Sequence, residues 1–216
     1  MENHQLVLVL DFGGQYNQLI ARRVREHNVY CEVKPYKTSI EEIKALNPIG
    51  IIFTGGPNSV YEEKSPKCDP ALFELGVPVL GICYGCQLMA HTLGGQVTEA
   101  QDDSAREFGK TPTYYDTACK IFDGLPREGI SWMSHGDYMA KVPEGFALTA
   151  RSDACPNVAI ADEKRGFYGV QFLPEVNHTQ HGVDMIRNFL YKVCGAVGDW
   201  TMGDYKDTAI AAAREK

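Results

Sequence analysis

A cysteine stands between two glycines in Gly81-Ile82-Cys83-Tyr84-Gly85, where an apolar run gives way to a helix-like segment. This G-x-C-x-G has the form of a nucleophile elbow, a tight strand-to-helix turn that lifts one side chain out at the carboxyl edge of a parallel sheet. Glycines on either side let the backbone bend without a clash from Cβ. A helix beginning at Tyr84 aims its free amides at the sulfur, which favours the thiolate and so the nucleophile. The plainer role for Cys83 is packing in a core strand, the usual fate of a cysteine. Cys83 and Cys86 also make a Cys-x-x-Cys, the spacing of a thioredoxin-like redox pair. Such a motif usually follows the first strand or two of a small domain. Here three strand-helix units precede it, and Cys86 lies beside Leu88 and Met89 where a small apolar residue serves as packing.

Two further segments carry polar chemistry. Thr54-Gly55-Gly56-Pro57 ends the third strand candidate, and adjacent glycines there turn backbone amides toward the edge occupied by Cys83, as an oxyanion hole requires. Standing alone, the same four residues would be an ordinary strand-ending turn. In Tyr168-Gly169-Val170-Gln171-Phe172-Leu173-Pro174-Glu175-Val176 a strand delivers a carboxylate just past its end. A buried glutamate near a thiolate commonly orients a histidine base, whereas most glutamates are solvated. The six histidines lie at 4, 27, 91, 135, 178 and 181, so the strand end itself offers none.

The elements that must hold these residues follow from the apolar pattern. Leu6–Asp11, Gln15–Asn28, Tyr30–Lys34, Ser39–Asn47, Gly50–Thr54, Pro70–Gly76 and Pro78–Cys83 alternate short apolar runs with helix-like stretches, which predicts crossovers and a parallel sheet. Leu6 to Leu10 has no polar alternation, so both of its faces should be covered. Tyr84–Leu93 reads as a helix stopped by Gly94-Gly95. The second half offers shorter strands near Arg106–Tyr115, Ile130–Ser134, Ala147–Ser152, Asn157–Asp162 and Phe167–Phe172, with a hairpin turn at 162–166. Asp184–Cys194 is the expected closing helix. Beyond it the chain lacks an apolar face until a weak helix around Ala209–Ala213.

Composition narrows the class. The 216 residues are 44% hydrophobic, enough for a buried core and too many for a disordered or collagen-like chain. The longest apolar stretches are too short to span a bilayer, and no basic segment followed by an apolar run opens the chain, so a soluble protein without an export signal is expected. A net charge of −7 disfavours nucleic acid and anionic membranes as partners. Seven cysteines, an odd number scattered through apolar surroundings, suit a reducing cytoplasm.

In this order and spacing the segments resemble the class I glutamine amidotransferase domains, most closely those of GMP synthases. The resemblance rests on Val9-Leu10-Asp11-Phe12-Gly13-Gly14-Gln15-Tyr16, Thr54-Gly55-Gly56-Pro57, Gly81 to Gln87, Arg106-Glu107-Phe108-Gly109, Trp132-Met133-Ser134-His135-Gly136-Asp137 and Gly169 to Thr179, and it spans nearly all of residues 6–194. It implies an α/β fold with a mixed, centrally parallel sheet flanked by helices, in the flavodoxin-like architecture of that family. Residues 1–194 would form the domain. Residues 195–216 would be a tail or linker toward a synthetase domain absent from this chain.

The implied chemistry is hydrolysis of the glutamine side-chain amide, with the ammonia passed to an ATP-pyrophosphatase domain or subunit that aminates XMP to GMP. By resemblance Cys83 attacks the amide carbon to form a glutamyl thioester. The amides of Gly56 and Tyr84 hold the oxyanion, Gln87 and the backbone at Ser134 and His135 grip the amino-acid end, and Glu175 is the orienting acid. No metal or cofactor is implied in this domain; ATP and magnesium belong to the companion. One position departs from the pattern. The family has a histidine two residues before the glutamate, and this chain has Leu173. Leucine neither accepts the thiol proton nor protonates leaving ammonia, so the general acid and base are missing from their expected place. His178 matches a second histidine of the pattern, and His135 belongs to the glutamine-binding loop, so neither is an obvious substitute. The resemblance therefore implies an impaired glutaminase or a silent glutamine-binding, regulatory module.

Overall fold

The computed structural model describes residues 4–99 and 107–201. Eleven strands lie in the described chain. They are β1 (Leu6–Asp11), β2 (Tyr30–Pro35), β3 (Gly50–Phe53), β4 (Val79–Ile82), β5 (Gln96–Glu99), β6 (Glu107–Tyr115), β7 (Glu128–His135), β8 (Asp137–Lys141), β9 (Ala147–Ser152), β10 (Ala159–Asp162) and β11 (Phe167–Val170). Nine of them form one sheet in the order β2-β1-β3-β4-β11-β10-β9-β6-β7. The first five run parallel and the remainder antiparallel. The parallel half is the one expected from the alternation of the first half, and the mixed, centrally parallel sheet is the one the resemblance implies. Helices α1 (Asn17–Glu26), α2 (Ile40–Leu46), α3 (Tyr84–Thr92) and α4 (Gly182–Asn188) flank it.

The unbroken run of β1 is buried on both faces, as its composition requires. Val7 and Val9 pack with Ile20 and Val24 of α1, while Leu8 and Leu10 pack on the opposite face with Ile43 of α2 and with Leu88 and Met89 of α3. Gly94 takes φ +99° and ends α3. At the β10–β11 hairpin, Gly166 has φ +78° and donates its N–H to Asp162 O at 3.0 Å.

Two expectations are corrected, and one element was missed. Pro70–Glu74 is a 3₁₀ turn, because Asp69 caps Ala71 N and Pro70 opens a segment too short to propagate as an α-helix. The closing helix is two pieces, α4 and a π-helical turn over Phe189–Val193 that keeps Phe189 and Leu190 in the core. The small β5–β8 sheet was not legible, since Gln96–Glu99 is short and half-exposed. At the tail's start, Trp200 is buried against Tyr30, with ring centroids 5.8 Å apart, and its N–H reaches Asn28 O. Arg106 and residues 202–216, including the expected weak helix around Ala209–Ala213, lie outside the described residues.

Candidate active site around Cys83

β4 ends at Ile82 and α3 begins at Tyr84, leaving Cys83 alone on the turn with φ +51° and ψ −109°. An L-residue is strained there, and the turn is held by the flanking pairings of β4 and by Cys83 N donating to Val170 O at 2.8 Å. The flanking glycines serve the purpose expected of them, avoiding a Cβ clash. Neither has positive φ among the described residues; both are needed for room. A Cβ on Gly81 would sit 2.6 Å from Gly85 O, and one on Gly85 would sit 2.5 Å from Phe53 Cβ. The strained angle belongs to the cysteine itself.

The Cys83 thiol is 3.7 Å from Ser134 O, which accepts its S–H, and Gln171 Nε2 donates toward the sulfur at 3.8 Å. Burial pushes the thiol up to about 12, and the nearby Glu175 carboxylate adds to the rise. The Tyr84 amide and Gln171 pull in the opposite direction. The helix terminus thus favours the thiolate as expected, but desolvation prevails and the sulfur rests as a thiol. Cys86 is buried too, with its sulfur 3.8 Å from Met139 Sδ and close beneath Gly169. Burial raises its pKa still further than that of Cys83.

The Thr54–Pro57 turn lies beside the elbow. Thr54 Oγ1 accepts from Phe12 N at 2.9 Å and donates to Gly55 O at 3.0 Å, which fixes the turn. A Cβ on Gly56 would stand 2.6 Å from Phe12 O, so only glycine fits this close approach.

On the far side, Gln87 Nε2 donates to Gln171 Oε1 at 3.1 Å and toward Asp137 O at 3.4 Å. Gln171 is fully buried and ties this pair to Cys83. It was not singled out from the sequence, although a glutamine inside the apolar run Tyr168–Phe172 signals a buried polar group with a definite partner. Both nitrogens of the His135 ring are engaged elsewhere: Nδ1 donates to Asp137 O at 2.8 Å and Nε2 meets Glu107 Oε1 at 3.0 Å.

The strand end beyond β11 is different. Leu173 N donates to Trp132 O at 3.0 Å and Leu173 O accepts from Thr179 Oγ1 at 2.7 Å, which sets the leucine side chain beside Gly55 and next to Cys83. Glu175 is 1% exposed, and neither carboxylate oxygen has a hydrogen-bond partner among the described residues. Burial pushes its carboxyl up to about 8, opposed by its own backbone amide and by Arg23. Arg23 holds the backbone here, with Nε donating to Glu175 O at 3.0 Å. The exposed His178 stacks on Trp132, and neither it nor His181 lines a cavity at Cys83.

Two cavities meet at Cys83. One of about 300 Å³ is bounded by Gly56, Tyr84, Gln87, Ser134, His135 and Asp137. The other, about 210 Å³, is bounded by Gly13–Asn17, Gly55, Leu173 and Glu175. All eight residues read from the sequence as site residues therefore border one or both spaces.

The sequence matches the family described as "Glutamine amidotransferase class-I" over residues 8–193. The GMP synthase [glutamine-hydrolyzing] of Acetivibrio thermocellus is 56% identical over 214 residues, 99% of this chain and 41% of that protein. That of Clostridium novyi is 57% identical over 211 residues, again 41% of its length. The chain thus spans about two fifths of these relatives. Among solved structures, a Thermoplasma acidophilum protein assigned as a GMP synthase subunit superposes with a TM-score of 0.78 at 30% identity, covering 97% of this chain and 99% of that one. A glutamine amidotransferase from Thermotoga maritima shares the fold, with a TM-score of 0.70 at 19% identity, covering 90% of this chain and all of its own. The chain belongs to the class I glutamine amidotransferase family.

Proposed function

We propose that this chain is the glutamine-handling part of a GMP synthase, that it binds glutamine at Cys83, and that hydrolysis there is slowed at the proton-transfer steps. Glutamine would lie in the larger cavity with its amino-acid end toward Gln87 and the Ser134–Asp137 backbone. Its side-chain carbonyl would turn to the amides of Gly56 and Tyr84. Attack by sulfur on the amide carbon forms the C–S bond of a glutamyl thioester and breaks the C–N bond, releasing ammonia; water then cleaves the thioester to glutamate. The first step needs a group that takes the thiol proton and gives one to the leaving nitrogen, and the second needs a group that takes a proton from water and returns one to sulfur.

The observation that carries the impairment is the buried carboxylate of Glu175, with no partner on either oxygen among the described residues, beside a leucine. A carboxylate at this depth costs free energy unless it is hydrogen-bonded, and a ring at residue 173 would supply the donor. With Leu173 the thiol rests neutral, and among the described residues no neighbouring group is placed to ionise it. Ammonia made here would serve an ATP-using synthetase portion that aminates XMP to GMP, reached through residues 195–216. Calorimetry with glutamine beside an ammonia-release assay tests the proposal: binding with very slow release is expected, and binding with none marks a silent module. Absence of glutamine binding would contradict it.

A further inference from the structure

Ser134 and Asp137 contribute backbone carbonyls to the site, and something must hold those carbonyls still. One carboxylate lies behind them. Glu107 on β6 meets the His135 ring of β7 at 3.0 Å through Oε1 and accepts from Ser152 Oγ of β9 at 2.7 Å through Oε2. The Ser152 hydroxyl also accepts from Cys155 N at 3.0 Å. His135 passes the connection forward, since its Nδ1 faces Asp137 O at 2.8 Å. The Glu107 and His135 side chains are 5% and 1% exposed, so water does not compete for these bonds.

The proton count follows from the partners. A carbonyl only accepts, so Nδ1 carries hydrogen. Nε2 and Oε1 then share the one remaining proton, and the Ser152 hydroxyl fills the other carboxylate oxygen. Each polar atom of the trio is thereby satisfied, in contrast to Glu175.

We infer that Glu107 is a positioning residue: through His135 it fixes the Ser134–Asp137 segment, whose Ser134 carbonyl anchors the Cys83 thiol and whose Asp137 carbonyl accepts from Gln87. Glu107 touches neither the sulfur nor the cavity at Cys83; its effect is transmitted by the His135 ring. The inference rests on the proposed glutamine site for its consequence in binding, and on the geometry alone for its consequence at the thiol.

The test compares the parent chain with Glu107→Ala and Glu107→Gln in two measurements, glutamine calorimetry and the rate of Cys83 alkylation by iodoacetamide. Alanine leaves His135 Nε2 without its carboxylate partner in a buried place and leaves the Ser152 hydroxyl only the longer contact to Cys155 O at 3.5 Å. Glutamine at 107 can donate to Nε2 through its amide nitrogen and accept from Ser152 through its oxygen. Glu107→Ala should weaken glutamine binding about tenfold and speed alkylation about threefold, as expected for one lost anchoring hydrogen bond at each place. Glu107→Gln should keep both values near the parent's. Parent-like values in Glu107→Ala would overturn the inference, as would equal losses in a folded Glu107→Gln. If the parent fails to bind glutamine, the functional proposal fails, and the alkylation rates alone decide the role of Glu107. If Glu107→Ala does not fold, Ser152→Ala replaces it. That variant removes one of the two bonds and should shift both measurements in the same direction by less; no shift would overturn the inference.

Discussion

The two sides of Cys83 are built to different standards. Toward the Ser134–Asp137 segment, Gln87, Gln171, His135 and Glu107 each find hydrogen-bond partners, and the chain of contacts reaches the sulfur. Toward the strand end, Leu173 fills its place with carbon, and Glu175 behind it is buried with both oxygens unpartnered among the described residues. One side is complete and the other lacks one residue's worth of donors. The hydrogen-bonded segment and the leucine-filled strand end are thus separate parts of this fold, so one can change while the other keeps its geometry.

The comparison is broken most forcefully by restoring the missing ring. Leu173→His should raise ammonia release by about 10² to 10⁴, the usual contribution of positioned proton transfer. Its glutamine affinity should stay near the parent's, because the binding side does not involve residue 173. Unchanged turnover would place the defect elsewhere.

The resting thiol sharpens the picture next. With Cys83 pushed up to about 12, only a small fraction is thiolate at neutral pH. Alkylation by iodoacetamide should therefore rise about tenfold per pH unit, or about 10² between pH 7 and 9, since only the thiolate reacts. Peptide mapping should find the label on Cys83 rather than Cys86. A plateau below pH 8, or label on Cys86, would contradict the assignment.

Stability tests the orphaned side. Glu175 is raised to about 8 in the folded chain from an ordinary carboxylate value, so the folded state holds the extra proton in the interval between. Stability should then fall as pH rises from about 5 to 8, by a few kcal/mol at most. Glu175→Gln should flatten that decline in urea-denaturation midpoints, while an equal pH dependence in both chains would contradict the burial argument. The smallest effect concerns the elbow. Gly85→Ala would press a Cβ against Phe53 and should cost about 1–3 kcal/mol in thermal unfolding.

Much of this was legible in the residues. The apolar run of β1 announced a strand covered on both faces, and the G-x-C-x-G announced the elbow, because both depend on local composition. The need for room at the two glycines was legible as well; what was not is that Phe53, far away in sequence, is what crowds Gly85. Gln171 and Glu107 were visible only as letters in motifs; their roles come from partners on other strands. The β5–β8 ladder was hidden for the same reason, since short half-exposed strands are specified by their pairing.

The central claim is that Leu173 has removed the base while leaving its orienting acid in place. Leu173 and Glu175 border the same cavity at Cys83, so a histidine at 173 would place its ring in the space that Glu175 also borders. The direct measurement is a four-member cycle of glutaminase rates with leucine or histidine at 173 and glutamate or alanine at 175, made with the synthetase portion and its nucleotide ligands present. The account predicts that Glu175→Ala changes little beside leucine and removes much of the gain beside histidine, because base and orienter act as one unit. No gain from Leu173→His, or the same cost of Glu175→Ala in both backgrounds, would contradict it.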